Sequence, residues 1–264
     1  MVIGFIGLGN MAKAMINGIL TKGLVAPEEI IGSARTAETC EKVKKEFDIE
    51  VTQDNVKVAS NADILVLAIK PQMFPSVVPG LKCVIKKGAT VVSIAAGKSL
   101  DYLEDMLGKD MKIVRLMPNT PAMVNAGITA VCPNDKVDEE ALDLVLKICN
   151  SFGMSEVIPE SQMDAFCALA GSSPAYVFMY LEALADAGVA AGLPRDKAYK
   201  FAAQSCLGSA KLMLDTGKHP GVLKDMVCSP AGTTIAAVRA LEQDGFRGAV
   251  IDAVDACIER SKEL

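Results

Sequence analysis

The sequence predicts a doubly wound α/β domain with a mostly parallel sheet, followed by an all-α domain. Three observations carry this. The chain opens on a short apolar strand that runs into Gly7-Leu8-Gly9-Asn10-Met11-Ala12, a glycine-rich turn leading straight into a helical pattern. Short apolar runs then alternate with helical segments as far as Ile158, which is the β-α-β order of a parallel sheet. Beyond residue 160 strand signals cease and long helical patterns take over. The expected domains are therefore residues 1–160 and 161–264.

Each element has its own signal. Val2–Gly7 is a short apolar strand, and Asn10–Leu20 places Met11, Met15 and Ile19 on one helical face. Ile30–Arg35 is a second strand after the Ala26-Pro27 turn, and Thr36–Phe47 is a charged helix. Asp63–Ile69 is apolar without alternation, as a central strand covered on both faces must be. Thr90–Ala95 and Lys112–Met117 are further strands, and Gly127–Cys132 and Ser155–Ile158 flank a helix at Asp138–Ser151. The second half reads as helices at Met163–Gly171, Ala175–Gly192, Asp196–Leu214, Thr233–Glu242 and Phe246–Glu263. Ala175–Gly192 is apolar nearly all round, which calls for burial on every side. A domain of about a hundred residues encloses such a helix poorly, so a second subunit is expected to cover it.

Composition excludes several function classes. A net charge of −5 argues against nucleic acid or an anionic membrane as the main partner. The start, Met1-Val2-Ile3-Gly4-Phe5, has no basic residue of a secretory signal, and no apolar run has the length of a membrane span. The eight cysteines are scattered without a C-x-x-C pair, and His219 is the single histidine, so zinc ligation has no support. The cysteines read as small core residues of a cytoplasmic protein.

The glycine-rich turn carries the first functional expectation. Gly7 permits the tight turn, Gly9 lets backbone approach a diphosphate, and Ala12 allows close packing of helix on strand. The helix N-terminus, from Leu8 through Asn10 and Met11, offers free N–H groups to phosphates. This is a Rossmann dinucleotide site. An NAD site carries Asp or Glu after the second strand. This chain has Ser33-Ala34-Arg35 there, a hydroxyl and a guanidinium suited to a 2′-phosphate. The expected cofactor is NADP(H), with NAD(H) left open. Asn55 is expected on the adenosine side, and Ile69-Lys70-Pro71 and Ala95-Ala96-Gly97 beside the nicotinamide path.

In the second half, Ser229-Pro230-Ala231-Gly232 breaks structure and Thr233-Thr234 then starts a helix. Such a start can hold a carboxylate on its free N–H groups. A simple capped helix after a loop explains the same residues equally well.

The segment Gly4–Ala12 resembles the start of the pyrroline-5-carboxylate reductases. So do Arg115-Leu116-Met117-Pro118-Asn119-Thr120-Pro121, Ala170–Tyr176 and His219-Pro220-Gly221, and Ser229–Glu242 is similar to that family's signature segment. The matches run in order along the whole chain. The resemblance implies NAD(P)H-dependent reduction of L-1-pyrroline-5-carboxylate to L-proline, the last step of proline biosynthesis. It implies a Rossmann domain followed by a helical dimerisation domain, with dimers interleaved and assembled into decamers of five. By resemblance, Thr234 hydrogen-bonds the imine nitrogen, and Ser229, Gly232, Thr233 and Thr234 belong to the loop that holds the substrate carboxylate. Ser33 and Arg35 fall where the family meets the 2′-phosphate. Glu160 matches an acidic residue near the substrate, in an alignment that needs a gap. One departure is Met226, where many relatives carry Asn beside the cofactor. His219 is expected to be structural, in a turn with Pro220.

Two other readings stay open. A β-hydroxyacid dehydrogenase shares the first motif but uses a lysine near the start of the long second-domain helix, and Ala170–Tyr180 contains none. A non-catalytic NADP-sensing protein would not need the Ser229–Thr234 loop.

Overall fold

The computed structural model describes residues 1–263. They form two compact units: Met1–Gly171 with the residues from Ile258 onward, and Ser172–Cys257.

The first unit is built on an eight-stranded sheet. Its elements in order are β1 (Ile3–Ile6), α1 (Asn10–Thr21), β2 (Ile30–Ser33), α2 (Ala37–Phe47), β3 (Glu50–Thr52), α3 (Asn55–Asn61), β4 (Ile64–Leu67), α4 (Phe74–Val77), β5 (Thr90–Ser93), α5 (Leu100–Leu107), β6 (Lys112–Pro118), β7 (Gly127–Pro133), α6 (Glu139–Asn150), β8 (Gly153–Val157) and α7 (Met163–Phe166). The strand order is β3-β2-β1-β4-β5-β6-β7-β8. Every pairing is parallel except β6 with β7. The chain reverses its winding between β1 and β4, the switch point at which such sheets bind ligands.

Helices cover both faces, which explains the unbroken apolar runs. Ile3, Phe5, Val66 and Val92 pack with Met15, Ile16 and Ile19 of α1 on one face. Ile6, Leu65, Leu67 and Val91 pack with Phe74, Val78 and Leu103 on the other. Asp63 anchors the start of β1, its Oδ2 accepting from Val2 N–H at 2.8 Å while Oδ1 meets Lys86 Nζ at 2.5 Å.

Four helix starts in this unit are marked by side-chain caps. Thr36 caps α2, Asp54 caps α3, Ser99 caps α5 and Asp138 caps α6, each accepting a first-turn N–H. The sequence reading missed β3, α3, α4 and α5. β3 is three residues at the sheet edge, too short to show alternation.

The expected helix over Met163–Gly171 is corrected. The α-helix ends at Phe166 and the chain continues as a π-helical turn, Cys167–Gly171. Pro174 has no N–H to return to Ala170 O, so the regular ladder cannot run through.

The second unit contains α8 (Ser173–Ala190), α9 (Arg195–Thr216), α10 (Pro220–Met226), α11 (Thr233–Gln243) and the larger part of α12 (Phe246–Lys262). Small residues make α8 and α9 close neighbours. Ala185, Ala198 and Ala202 are buried, and Gly188 lies so near Ala198 that a Cβ on it would meet Ala198 Cβ at 3.3 Å. The apolar girth of α8 is not enclosed by the chain itself: Phe178 is 65% exposed and Met179 69%. α10 was not expected. His219 Nδ1 accepts from Gly221 N–H at 3.1 Å and caps it, with Pro220 in its first turn.

Candidate active site

A cleft of about 1010 Å³ opens at the carboxyl ends of β1, β4 and β5. It is lined by Gly7, Leu8, Gly9, Asn10 and Met11 from the first turn, Arg35 after β2, Ile69, Lys70 and Pro71 after β4, and Ala95 and Ala96 after β5. The sequence had singled out all of these. Gly97 follows in the chain at φ +69° and does not line the cleft.

The two glycines of the turn differ in what demands them. Gly7 has φ +96°, and a Cβ there would lie 2.6 Å from Ala68 O. The fold itself requires it. Gly9 has φ −79° and ψ −176°, open to any residue, and a Cβ there would meet nothing within 4 Å. Neither backbone nor packing requires glycine at position 9. The space its missing Cβ leaves belongs to the cleft, where a ligand can reach the backbone.

The electrostatics fit a polyanion. α1 starts at Gly9 without a capping side chain and with no acidic residue in its first turn, so its N–H groups and dipole are left for the cleft. Arg35 and Lys70 line the wall, and no Asp or Glu does among the described residues. The Arg35 side chain is in no ion pair among those residues.

Ser33 and Asn55 lie together but not on the cleft wall. Ser33 is fully buried, and its hydroxyl donates to Asn55 Oδ1 at 2.7 Å. Thr36, Thr39, Pro118, Thr120 and Met123 line the cleft as well, and the sequence reading gave them no role. Thr36 was detectable: a threonine before a charged helix is a cap signal, and a cap beside Arg35 shares its location.

The second unit brings Ser229, Gly232, Thr233 and Thr234 into one turn. Gly232 N–H donates to Ser229 O at 3.0 Å, and Ala231 adopts φ +57°. Pro230 and a left-handed third residue fit a type II turn. Gly232 has no room for a Cβ, which would lie 2.3 Å from Ser229 Oγ. No side chain caps α11, so the amides of its first turn stay open to an anion, with the Thr234 hydroxyl among them. Met226 ends α10 and is 62% exposed.

Glu160 is held within the first unit. Its Oε1 accepts from Arg115 Nη1 and from Leu100 N–H, both at 2.8 Å. Arg115 lies opposite Cys132 on the paired strands. Burial, with the Glu160 carboxylate second, pushes the Cys132 thiol up, so it packs there as a neutral group. No cluster of His, Cys, Asp or Glu among the described residues could hold a metal. Among the described residues no helix is long and apolar enough to cross a membrane.

With this geometry in hand, known proteins give the context. Residues 160–264 match the family model for pyrroline-5-carboxylate reductase dimerisation, and residues 2–97 match that for NADP oxidoreductase, coenzyme F420-dependent. The pyrroline-5-carboxylate reductase of Escherichia coli strain K12 is 50% identical over 262 residues, covering 99% of this chain and 97% of that protein. That of Methanosarcina acetivorans is 43% identical over the same shares. Among solved structures, a pyrroline-5-carboxylate reductase from Coxiella burnetii superposes with a TM-score of 0.93 at 36% identity, covering 99% of this chain and 97% of that one. The Plasmodium falciparum pyrroline carboxylate reductase with NADP bound superposes with a TM-score of 0.89 at 33% identity, covering 100% and 97%. The chain therefore belongs to the pyrroline-5-carboxylate reductase family, oxidoreductases that use NADP(H) and act on a C=N group.

Proposed function

We propose that the cleft holds NADP(H) with its diphosphate on the amides of Gly9, Asn10 and Met11, and that the Ser229–Thr234 turn holds the carboxylate of L-1-pyrroline-5-carboxylate. One observation carries the first half. The cleft wall has two cations and no carboxylate among the described residues, in a chain whose net charge is −5. Arg35 takes the 2′-phosphate, as a guanidinium without a carboxylate partner is suited to do. Ser33 fixes the Asn55 amide beneath the adenosine end. Ile69, Lys70 and Pro71 form one wall beside the nicotinamide, and Ala95 and Ala96 the other, small enough for a ring to lie against backbone.

When bound, the cofactor supplies the hydride that reduces the imine carbon and yields L-proline. The chain's own residues bind and orient. The first-turn amides of α11, from Thr233 on, hold the substrate carboxylate, with Ser229 and Gly232 shaping the turn. The Thr234 hydroxyl hydrogen-bonds the ring nitrogen. That nitrogen takes its proton from solvent, so no histidine is required, and His219 is occupied as a helix cap. Glu160 keeps the substrate-binding role that the resemblance gives it, with one oxygen held by Arg115 and Leu100. Holding two reactants in line is worth ~7 kcal/mol or more of the barrier.

We assign cofactor binding to residues 1–160, and substrate binding and dimer formation to residues 161–264. A second copy covers the exposed apolar side chains of α8, such as Phe178 and Met179. Five such dimers form the decamer. The cysteines form no disulfide among the described residues, which suits a reducing cytoplasm.

The test is steady-state oxidation of NADPH with pyrroline-5-carboxylate, read by absorbance, with proline identified as product. Turnover is expected. NADPH binding without turnover, or oxidation of β-hydroxy acids by NADP+ instead, would replace this reading.

A further inference from the structure

Asn119 directly follows β6. It sits between Pro118 and Thr120, both on the cleft wall, and is 8% exposed. Its side-chain amide is spent in two directions. Oδ1 accepts from Ile128 N–H at 2.9 Å, and Nδ2 donates to Ala170 O at 3.0 Å.

The first bond closes a loop at its base. Residues Thr120–Val124 form a 3-10 turn that packs beside α1. Asn125 reverses the chain at φ +56°, and Ala126 N–H returns to Pro121 O at 3.1 Å. Gly127 then lies so close that a Cβ would be 2.9 Å from Ala122 N. Asn119 joins the entry of this loop to the strand that leaves it.

The second bond answers a specific deficit. Ala170 lies in the π-helical turn, and its carbonyl has lost its regular partner because Pro174 carries no N–H. Ala170 is half-buried, so a carbonyl left without a partner there would be poorly solvated. Asn119 satisfies it from 51 residues away. The same segment is tied at Glu160 to Arg115 and at Asp164 to Ser261, where the hydroxyl donates at 2.7 Å. One amide thus fixes both the Pro118–Met123 wall and the turn that precedes α8.

We propose that Asn119 is a positioning residue for hydride transfer: it sets the Pro118–Met123 wall of the cleft, which follows β6 and neighbours the β5 end where the nicotinamide is assigned, without touching the cofactor. This rests on the function proposed above. Asn119→Asp keeps the acceptor for Ile128 N–H and loses the donor to Ala170 O. Asn119→Ser is the second variant, should the first not fold. Asn119 bonds neither Arg35 nor the Gly9–Met11 amides assigned to the cofactor's phosphates, so NADPH dissociation constants should stay within about twofold of wild type. Hydride transfer depends on placement to within about 1 Å, so kcat should fall by roughly ten- to a hundredfold. The primary isotope effect with 4-deuterated NADPH should rise as hydride transfer becomes rate-limiting.

Folded variants with wild-type kcat and isotope effect would overturn the proposal. So would a fall in NADPH affinity as large as the fall in kcat, since that describes general damage to the cleft. Wild-type protein run in parallel separates the two claims: if it fails to reduce pyrroline-5-carboxylate, the proposed function falls and takes this inference with it.

Discussion

Replacing Gly9 by alanine separates what the fold needs from what the ligand needs. The new methyl group would meet nothing within 4 Å, and the backbone at φ −79° and ψ −176° accepts an L residue without strain. Restricting the unfolded chain should then leave the fold as stable as before or firmer by ~0.4–1 kcal/mol. Binding should behave in the opposite way. The methyl occupies the space through which a diphosphate reaches the uncapped N–H groups of α1. Losing one charge-assisted hydrogen bond costs ~1.5–3 kcal/mol, which is about a ten- to 150-fold weaker Kd. The control is Gly7→Ala, where φ +96° and a 2.6 Å approach to Ala68 O predict a damaged fold. Thermal unfolding without cofactor reads the first effect. NADPH fluorescence titration reads the second, in a chain with no tryptophan to interfere. Wild-type NADPH affinity in a folded Gly9→Ala protein would refute the assignment of this turn to the diphosphate.

The remaining predictions concern specificity, chemistry and pH. Arg35→Asp should raise KM for NADPH by about tenfold or more, the value of a lost charge-assisted contact, while barely moving KM for NADH; equal effects on both would remove Arg35 from the 2′-phosphate. Thr234→Ala should lower kcat/KM by roughly tenfold to a thousandfold, or ~1.4–4 kcal/mol, with little change in thermal midpoint; unchanged kinetics would sink its role. The Lys86 ammonium, followed by Val2 N–H, holds the Asp63 carboxyl below the usual carboxylate range. A lowered folded value stabilises above the ordinary carboxylate pKa and loses that contribution as pH falls through the folded value. The gap in melting temperature between wild type and Asp63→Asn should therefore narrow on acidification, and a gap independent of pH would show that the ion pair contributes nothing.

What could be read in the sequence followed from local rules. Gly7, Gly9 and Ala12 mark the first turn because spacing alone dictates a strand, a tight bend and a helix. The apolar run of β4 gave away a central strand because both its faces are covered. The cleft walls at Ile69–Pro71 and Ala95–Ala96 then follow from strand ends. What stayed hidden depended on long-range contacts. Nothing near Ser33 says that its hydroxyl is turned to Asn55 rather than to the cleft. Nothing near Glu160 announces Arg115, 45 residues away. The missed helices α3 and α5 carry cap signals at Asp54 and Ser99 that could have been used. The π-helical turn could be suspected from Pro174, but its partner Asn119 lies 51 residues away in the chain. The all-round apolar character of α8 pointed correctly to incomplete enclosure, because girth and domain size are both legible without coordinates.

We propose that two sets of unclaimed backbone amides, at the start of α1 and at the start of α11, receive the two charged ends of the reaction. The most direct measurement is a crystal structure of the assembled protein with NADP+ and proline. The diphosphate is expected on the amides of Gly9–Met11, the proline carboxylate on those of Thr233 and its neighbours, and the ring nitrogen at the Thr234 hydroxyl. Proline bound away from the Ser229–Thr234 turn, with α11 still open to solvent, would contradict it.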